Sequence, residues 1–219
     1  MKHYWIHSIP EEYGQMPLKS EFHPKQILEP WNRLEEAAVE EYPWDNTGYR
    51  PLCYARVGWN SKGLHVLMYA QEKTIRTEVH RFGGRVCDDS CMEFFVKCCP
   101  EMSANYINLE LTDYPAMYIS YGSSRYQRID FTEAPPGIVP QTSKHCGSWW
   151  AVSYTVPMEF ISQLYGRSLK SGDKMKGNFY ICGEMTERSH FGMWQKFDPA
   201  LVPHPDFHQP TLFGDMTLD

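Results

Sequence analysis

The 219-residue chain has no long apolar run. Its opening, MKHYWIHSIPEEYGQ, lacks the apolar core of a secretory leader, and nothing later approaches the roughly 20 apolar residues of a membrane-spanning helix. A cytoplasmic chain without a membrane span is expected, or an extracytoplasmic one if a leader has been trimmed. Basic clusters are missing as well: net charge is −6 and Lys and Arg are scattered, which argues against a nucleic-acid partner. There is no Gly-rich phosphate loop and no nucleophile elbow, so nucleotide use and acyl transfer have no motif to carry them. No Cys-x-x-Cys pair anchors a zinc site. Seven cysteines, an odd number with Cys98 and Cys99 adjacent, do not make a secreted disulfide framework, and free buried thiols are expected. The acidic pair Asp88–Asp89 lacks an EF-hand spacing around it. No cofactor is expected, with a structural calcium the one open case.

Aromatic residues are what the chain has in excess. They make up 15%, with 14 Tyr, 11 Phe and 7 Trp, and such side chains suit pleated, half-buried surfaces. Sixteen Pro and 15 Gly, spread along the chain, fit many turns rather than long helices. Residues 1–30 read as an irregular, proline-broken lead-in. WNRLEEAAVEEYPW, residues 31–44, has a helical pattern that Pro43 stops. From there the pattern is strand after strand, over 53–59, 64–71, 91–98, 104–111, 116–121, 149–156, 178–184 and 212–218, with a turn at Asn60-Ser61-Lys62-Gly63. A short helix with proline at its first turn is expected at 157–165, and one long loop over 130–148. Without an interdomain linker or internal repeat, residues 1–219 read as a single domain. Its fold class is all-β, an antiparallel β-sandwich of immunoglobulin-like or jelly-roll-like kind over 31–219, with one or two short helices.

Strand alternation sorts the polar groups by face. Met92, Phe94 and Val96 oppose Cys91, Glu93 and Phe95. Ile107, Leu109 and Leu111 oppose Tyr106, Asn108 and Glu110, and Phe179 and Ile181 oppose Asn178, Tyr180, Cys182 and Glu184. If these strands are neighbours, one face collects Glu93, Asn108, Glu110 and Tyr180. Adding the Trp194 loop joins acceptors, amide donors and a flat aromatic, the combination that sugar hydroxyls and pyranose C–H faces require. A solvated outer sheet face has the same pattern. Glu93 and Glu110 are also the carboxylate pair that a glycoside-acting enzyme would need. Arg125 and Arg128, either side of Tyr126, offer planar forks for paired hydroxyls or a carboxylate, or simply surface ion pairs. His204 and His208 sit between prolines, where structural roles fit better than a helical metal site.

The ordered segments Trp59-Asn60-x-x-Gly63-Leu64-His65-Val66, Asp89-Ser90-Cys91-Met92-Glu93-Phe94-Phe95-Val96 and Tyr106-Ile107-Asn108-Leu109-Glu110 carry a resemblance. So do Tyr121-Gly122-x-x-Arg125-x-x-Arg128, Trp150-x-Val152-x-Tyr154-x-Val156-Pro157, Gly177-Asn178-Phe179-Tyr180-x-Cys182-Gly183-Glu184, His190-Phe191-x-x-Trp194 and Pro205-Asp206-Phe207-His208-x-Pro210-x-x-Phe213-Gly214. Over residues 30–219 the series resembles the family 9 carbohydrate-binding modules, especially the stand-alone bacterial family 9-like proteins. The resemblance implies a two-sheet β-sandwich in which two tryptophans hold a sugar in a slot. Trp194 stands at the later tryptophan, Glu93 at a glutamate that reads hydroxyls, and Tyr180 on a strand that supplies an amide. Where the earlier tryptophan belongs, this chain has Val86-Cys87, leaving Phe82 or another aromatic for the second face. Family members often carry calcium.

The expected function is non-catalytic binding of a mono- or oligosaccharide, with Trp194 as platform, Glu93, Asn108 and Glu110 as polar partners, and Tyr180, Arg125 and Arg128 beside them. An enzyme using Glu93 and Glu110 as acid and base is the alternative, and a protein-interaction scaffold the third. In the tail, Phe207 and Phe213 are expected as core plugs that lock the final strand.

Overall fold

The computed structural model describes residues 1–114, 116–143 and 148–219. The chain runs β1 (His3–Ser8), β2 (Ala37–Ala38), β3 (Leu52–Asn60), β4 (Gly63–Gln71), β5 (Cys91–Lys97), β6 (Tyr106–Thr112), β7 (Met117–Ser124) and β8 (Gln127–Asp130). There follow β9 (Gln141–Ser143), β10 (Trp149–Pro157), α1 (Met158–Tyr165), β11 (Lys174–Gly183), β12 (His190–Met193) and β13 (Gly214–Leu218). The strands form one curled sheet in the order β8-β7-β6-β5-β11-β13-β1-β3-β4-β10-β9, with β12 on β11 and β2 on β3.

The sheet is mixed, which corrects the purely antiparallel sandwich expected from the sequence. The lead-in is not irregular throughout: β1 pairs in parallel with β13 through His3–Ile6 and with β3 through His7 and Ser8. That one strand joins the two halves of the sheet, because the remaining pairings are antiparallel within each half. Tyr4 anchors it. The ring is fully buried, its hydroxyl donates to the Glu35 carbonyl at 2.6 Å, and it accepts from the Val57 N–H at 2.9 Å.

The helix expected over 31–44 is absent. A single 3-10 turn covers Trp31–Arg33, and Ala37–Ala38 pair with Tyr54 and Ala55 of β3. Local helix propensity in LEEAAVEE loses to burial of Ala37 and Val39 against the sheet. The β3–β4 hairpin turns where expected, and Gly63 sits at φ +150° with no room for a Cβ against the Val156 carbonyl. Helix α1 follows Pro157, buries Met158, Phe160, Ile161 and Tyr165, and ends at left-handed Gly166. The 130–148 loop, of which 144–147 lie outside the described residues, includes the short strand β9. Among the described residues no helix is long and apolar enough to cross a membrane. The six described cysteines are free thiols, and Cys146 lies outside the described residues.

The central core joins both halves: Met92, Phe94, Ile107, Leu109, Phe179 and Ile181 meet Val57, Val66, Trp150 and Val152. Against it Glu72 is buried, bonded to Trp150. It accepts from Ser90 Oγ at 2.8 Å and Trp150 Nε1 at 3.0 Å, yet burial pushes its carboxyl up to about 7. The folded chain therefore holds a proton that the unfolded chain releases near 4.5. Stability of the wild type relative to Glu72→Gln is expected to fall as pH rises from about 4.5 to about 7, by about 3 kcal/mol, and to level off above. Urea unfolding of both proteins across that range tests it, and parallel curves would refute it.

Candidate functional site

Register brings the expected polar residues together. Glu93 of β5 lies directly opposite Glu110 of β6 and opposite Tyr180 of β11, so the three share the outer face of that half of the sheet. This face is not the solvated surface that alternation alone suggests. Residues 197–213 cross it, and Phe197, Val202, Phe207 and Phe213 pack with Phe95, Tyr106, Tyr180 and Cys182 as a second core. Phe207 stacks on Tyr180 with centroids 4.1 Å apart, and the Tyr180 hydroxyl donates to the Phe207 carbonyl at 3.2 Å. His208 lies over Phe95 and is held at both ring nitrogens, by Tyr106 at 2.6 Å and by Arg128 at 3.2 Å. Arginine can only donate, so Nε2 accepts, the neutral ring carries its proton on Nδ1, and Nδ1 donates to Tyr106. Burial, with Arg125 and Arg128 nearby, pulls His208 down to about 3 and keeps it neutral.

A cavity of about 50 Å³ remains between sheet and tail, lined by Cys87, Glu93, Glu110, Arg125, Cys182, Glu184, Phe191 and the 205–208 segment. That is room for a few water molecules and not for a sugar ring. Glu93 and Glu110 are 3% and 7% exposed. Burial first, and the facing Glu110 second, raise Glu93 well above the usual carboxylate range. Burial lifts Glu110 to about 7, against a 2.9 Å hydrogen bond donated by Asn108 Nδ2 and the fields of Arg128 and Arg125. Two facing carboxyls in so dry a place retain at least one proton between them. Arg125 closes the rim by an ion pair to Asp206 at 2.8 Å.

A larger cleft of about 520 Å³ adjoins the cavity, sharing Phe191 and Pro205 as walls, with Trp44, Asp45, Asn46, Ser189 and His204 among its other lining residues. Phe191 faces outward because β12 pairs with β11 so that Phe191 lies opposite Cys182. Trp44 and Phe191 are both half-buried, leaving ring surface at the cleft.

Of the seven residues expected at the site, Glu93, Glu110 and Arg125 line the cavity. Arg128 supports it through His208, and Asn108, fully buried, holds Glu110 while its own Oδ1 lacks a partner. Tyr180 serves the tail, not a ligand surface. Trp194 is the clear correction: it is 5% exposed and belongs to the central core, edge-on to Tyr4 and Phe179. Its backbone N–H donates to the Phe179 carbonyl, so the strand parity that turns Phe191 and Met193 outward turns Trp194 inward. Phe82 likewise packs on the central core. Asp206, His208, Cys87 and Cys182 were missed, because only tertiary crossing and cross-strand register bring them here. Asp89 is occupied by Arg76 and by the Glu78 and Val79 N–H groups, and Asp88 by Arg85, so that pair presents no ready oxygen cage for calcium.

The structure is thus a curled β-fold with an aromatic-walled cleft beside a buried polar cavity. Residues 24–218 match the model of Carbohydrate-binding family 9, and the chain belongs to that family. Over all of this chain the structure is similar to a Bacteroides uniformis protein provisionally described as carbohydrate-binding, at 22% identity and TM-score 0.76, covering 99% of that chain. It is also similar to a family 9 module of Caldicellulosiruptor kristjanssonii in complex with cellotriose, at 10% identity and TM-score 0.66, covering 100% of this chain and 94% of that one. The glucose complex of a family 9 module from the same organism gives 11% identity and TM-score 0.62, covering 100% and 96%. At these identities the likeness concerns the fold. No curated protein matches the chain.

Trp194 and Phe191 separate by stability. Trp194→Ala is expected to cost about 3–5 kcal/mol, as for a core aromatic, and Phe191→Ala less than about 2 kcal/mol. Denaturant midpoints measure both, and a near-neutral Trp194→Ala would show that its ring is not structural.

Proposed function

We propose that the chain binds a mono- or oligosaccharide without catalysis. The sugar ring lies in the outer cleft against Phe191 and Trp44, and a hydroxyl-bearing edge points at Glu93, Glu110 and Arg125. The observation that carries this reading is the shared wall: a cleft of about 520 Å³ flanked by aromatic rings opens beside a polar cavity too small for anything but hydroxyls or water. Pyranose C–H faces suit an aromatic ring, and a carboxyl pair holding one proton offers both acceptor and donor to hydroxyl groups. Membership of family 9 supports the same class of ligand. The cellotriose and glucose complexes of the C. kristjanssonii modules make glucose and short glucans the first sugars to try.

A glycosidase reading draws on the directly opposed Glu93 and Glu110. It needs one carboxyl ionised beside one protonated, with a linkage seated between them. The cavity beside them does not hold two sugar rings, so no linkage can be seated between the carboxyls. Binding without turnover is the better account.

Calorimetry with glucose and cello-oligosaccharides, backed by a glycan array, tests the reading. Phe191→Ala and Arg125→Ala are each expected to weaken binding about tenfold or more, equivalent to about 1.4 kcal/mol. An array with no bound sugar, or full affinity in both variants, would overturn it. Hydrolysis of a chromogenic glycoside that Glu93→Gln abolishes would turn the assignment toward an enzyme.

A further inference from the structure

Two thiols that sugar recognition does not require, Cys91 and Cys182, converge with Glu93 beside the cavity. Cys91 of β5 and Cys182 of β11 are directly opposed in register. Glu93, two residues beyond Cys91, projects from the same face. The Cys182 thiol donates to Glu93 Oε1 at 3.0 Å, and the two sulfurs and a Glu93 carboxyl oxygen all lie within 4.8 Å of one another. Their exposures are 0%, 2% and 3%. Burial raises the Glu93 carboxyl and pushes the Cys91 thiol up to about 12, and the hydrogen bond with Cys91, followed by burial, raises Cys182. The cationic side chain that lines this cavity is Arg125, and its guanidinium is paired with Asp206 at the rim. A third thiol, Cys87, lines the same cavity and lies beside Glu184, whose N–H donates to the Cys87 carbonyl.

We propose that Cys91, Cys182 and Glu93 form a site for a thiophilic divalent cation of the zinc class, with water in the fourth position. The donor set selects the ion: two sulfurs and one carboxylate suit zinc or cobalt(II), whereas calcium and magnesium require oxygen shells. Size agrees. In a tetrahedron with metal–sulfur bonds of about 2.3 Å and metal–oxygen bonds of about 2.0 Å, sulfurs stand roughly 3.8 Å apart and sulfur and oxygen roughly 3.5 Å. The 3.0 Å contact therefore opens by about half an ångström as the metal replaces the shared proton. The balance is M²⁺ + 2 Cys–SH + Glu–COOH giving [M(S-Cys)₂(OOC-Glu)]⁻ and three protons. A cluster neutral when protonated thus gains one negative charge, toward which Arg125 bears its positive one. Coordination through Oε1 leaves Glu93 Oε2 for a hydroxyl, so the site is compatible with sugar binding and does not rest on it.

The test uses reduced full-length protein, stripped with chelator and titrated with cobalt(II) in the absence of sugar. One equivalent is expected to produce intense near-ultraviolet sulfur-to-cobalt absorption and the strong visible bands of a tetrahedral ion, and zinc should displace them. Cys91→Ser and Cys182→Ser should each lower affinity at least 100-fold, Glu93→Gln at least tenfold, and Cys98→Ser should leave the spectrum unchanged. Zinc-edge X-ray absorption on the loaded wild type needs no variant and should count at least two sulfur neighbours. Absence of the sulfur band, fewer than two sulfurs, or a band that survives both serine substitutions would overturn the site. Failure to bind sugar under any of these conditions leaves it standing.

Discussion

The tail lying across the outer face of β5, β6 and β11 is the contact on which the rest of the site depends. It is held by the Tyr180–Phe207 stack, by His208 between Tyr106 and Arg128, and by Phe213 at the far end. With residues 197–213 in place, Glu93, Glu110, Cys91 and Cys182 are dry. If the tail were lifted away, the same face would be a wet sheet surface with carboxylates in their ordinary range. Desolvation, not any special neighbour, is the largest influence on Glu93, Glu110 and Cys91 alike. Packing distant in sequence thereby sets the local chemistry.

The same tail supplies the charge arrangement. Asp206 fixes Arg125, and His208 accepts from Arg128, so two cations delivered by β7, β8 and their turn are oriented by groups 80 residues away or more. Neither arginine is spent on the carboxyl pair. A guanidinium inserted between Glu93 and Glu110 would have ionised both and filled the cavity. Held at the rim by Asp206, Arg125 leaves the carboxyls protonated in part and the space beside them open. A buried acidic pair without an inserted cation is costly to stability.

Much of the fold was legible because period-two alternation is a local property. The faces of β5, β6 and β11 came directly from which residues alternate, and the β3–β4 turn from its Asn-Ser-Lys-Gly. What failed was non-local. β1 is six residues in a proline-broken stretch, and its strand character comes from parallel pairing to β13 and β3, which a sequence pattern does not display. In LEEAAVEE, helix propensity was real but outweighed by the pairing of Ala37 with Ala55.

Trp194 and Phe191 show the limit most sharply. Both lie in one aromatic segment, and the resemblance pointed at the larger ring. Which of them faces the outer cleft is decided by the parity of β12 against β11, and a one-residue slip would exchange their places. Gly214 completes the choice: a Cβ there would lie 2.4 Å from Trp194 Cζ3, so the core accepts the indole only because β13 offers no side chain at that point. Cysteine spacing fails for a similar reason. Cys91 and Cys182 are 91 residues apart and match no metal motif, yet antiparallel register sets them face to face with Glu93 beside them. Donor sets assembled across strands leave no spacing signature, so in a β-protein they are visible only once register is known.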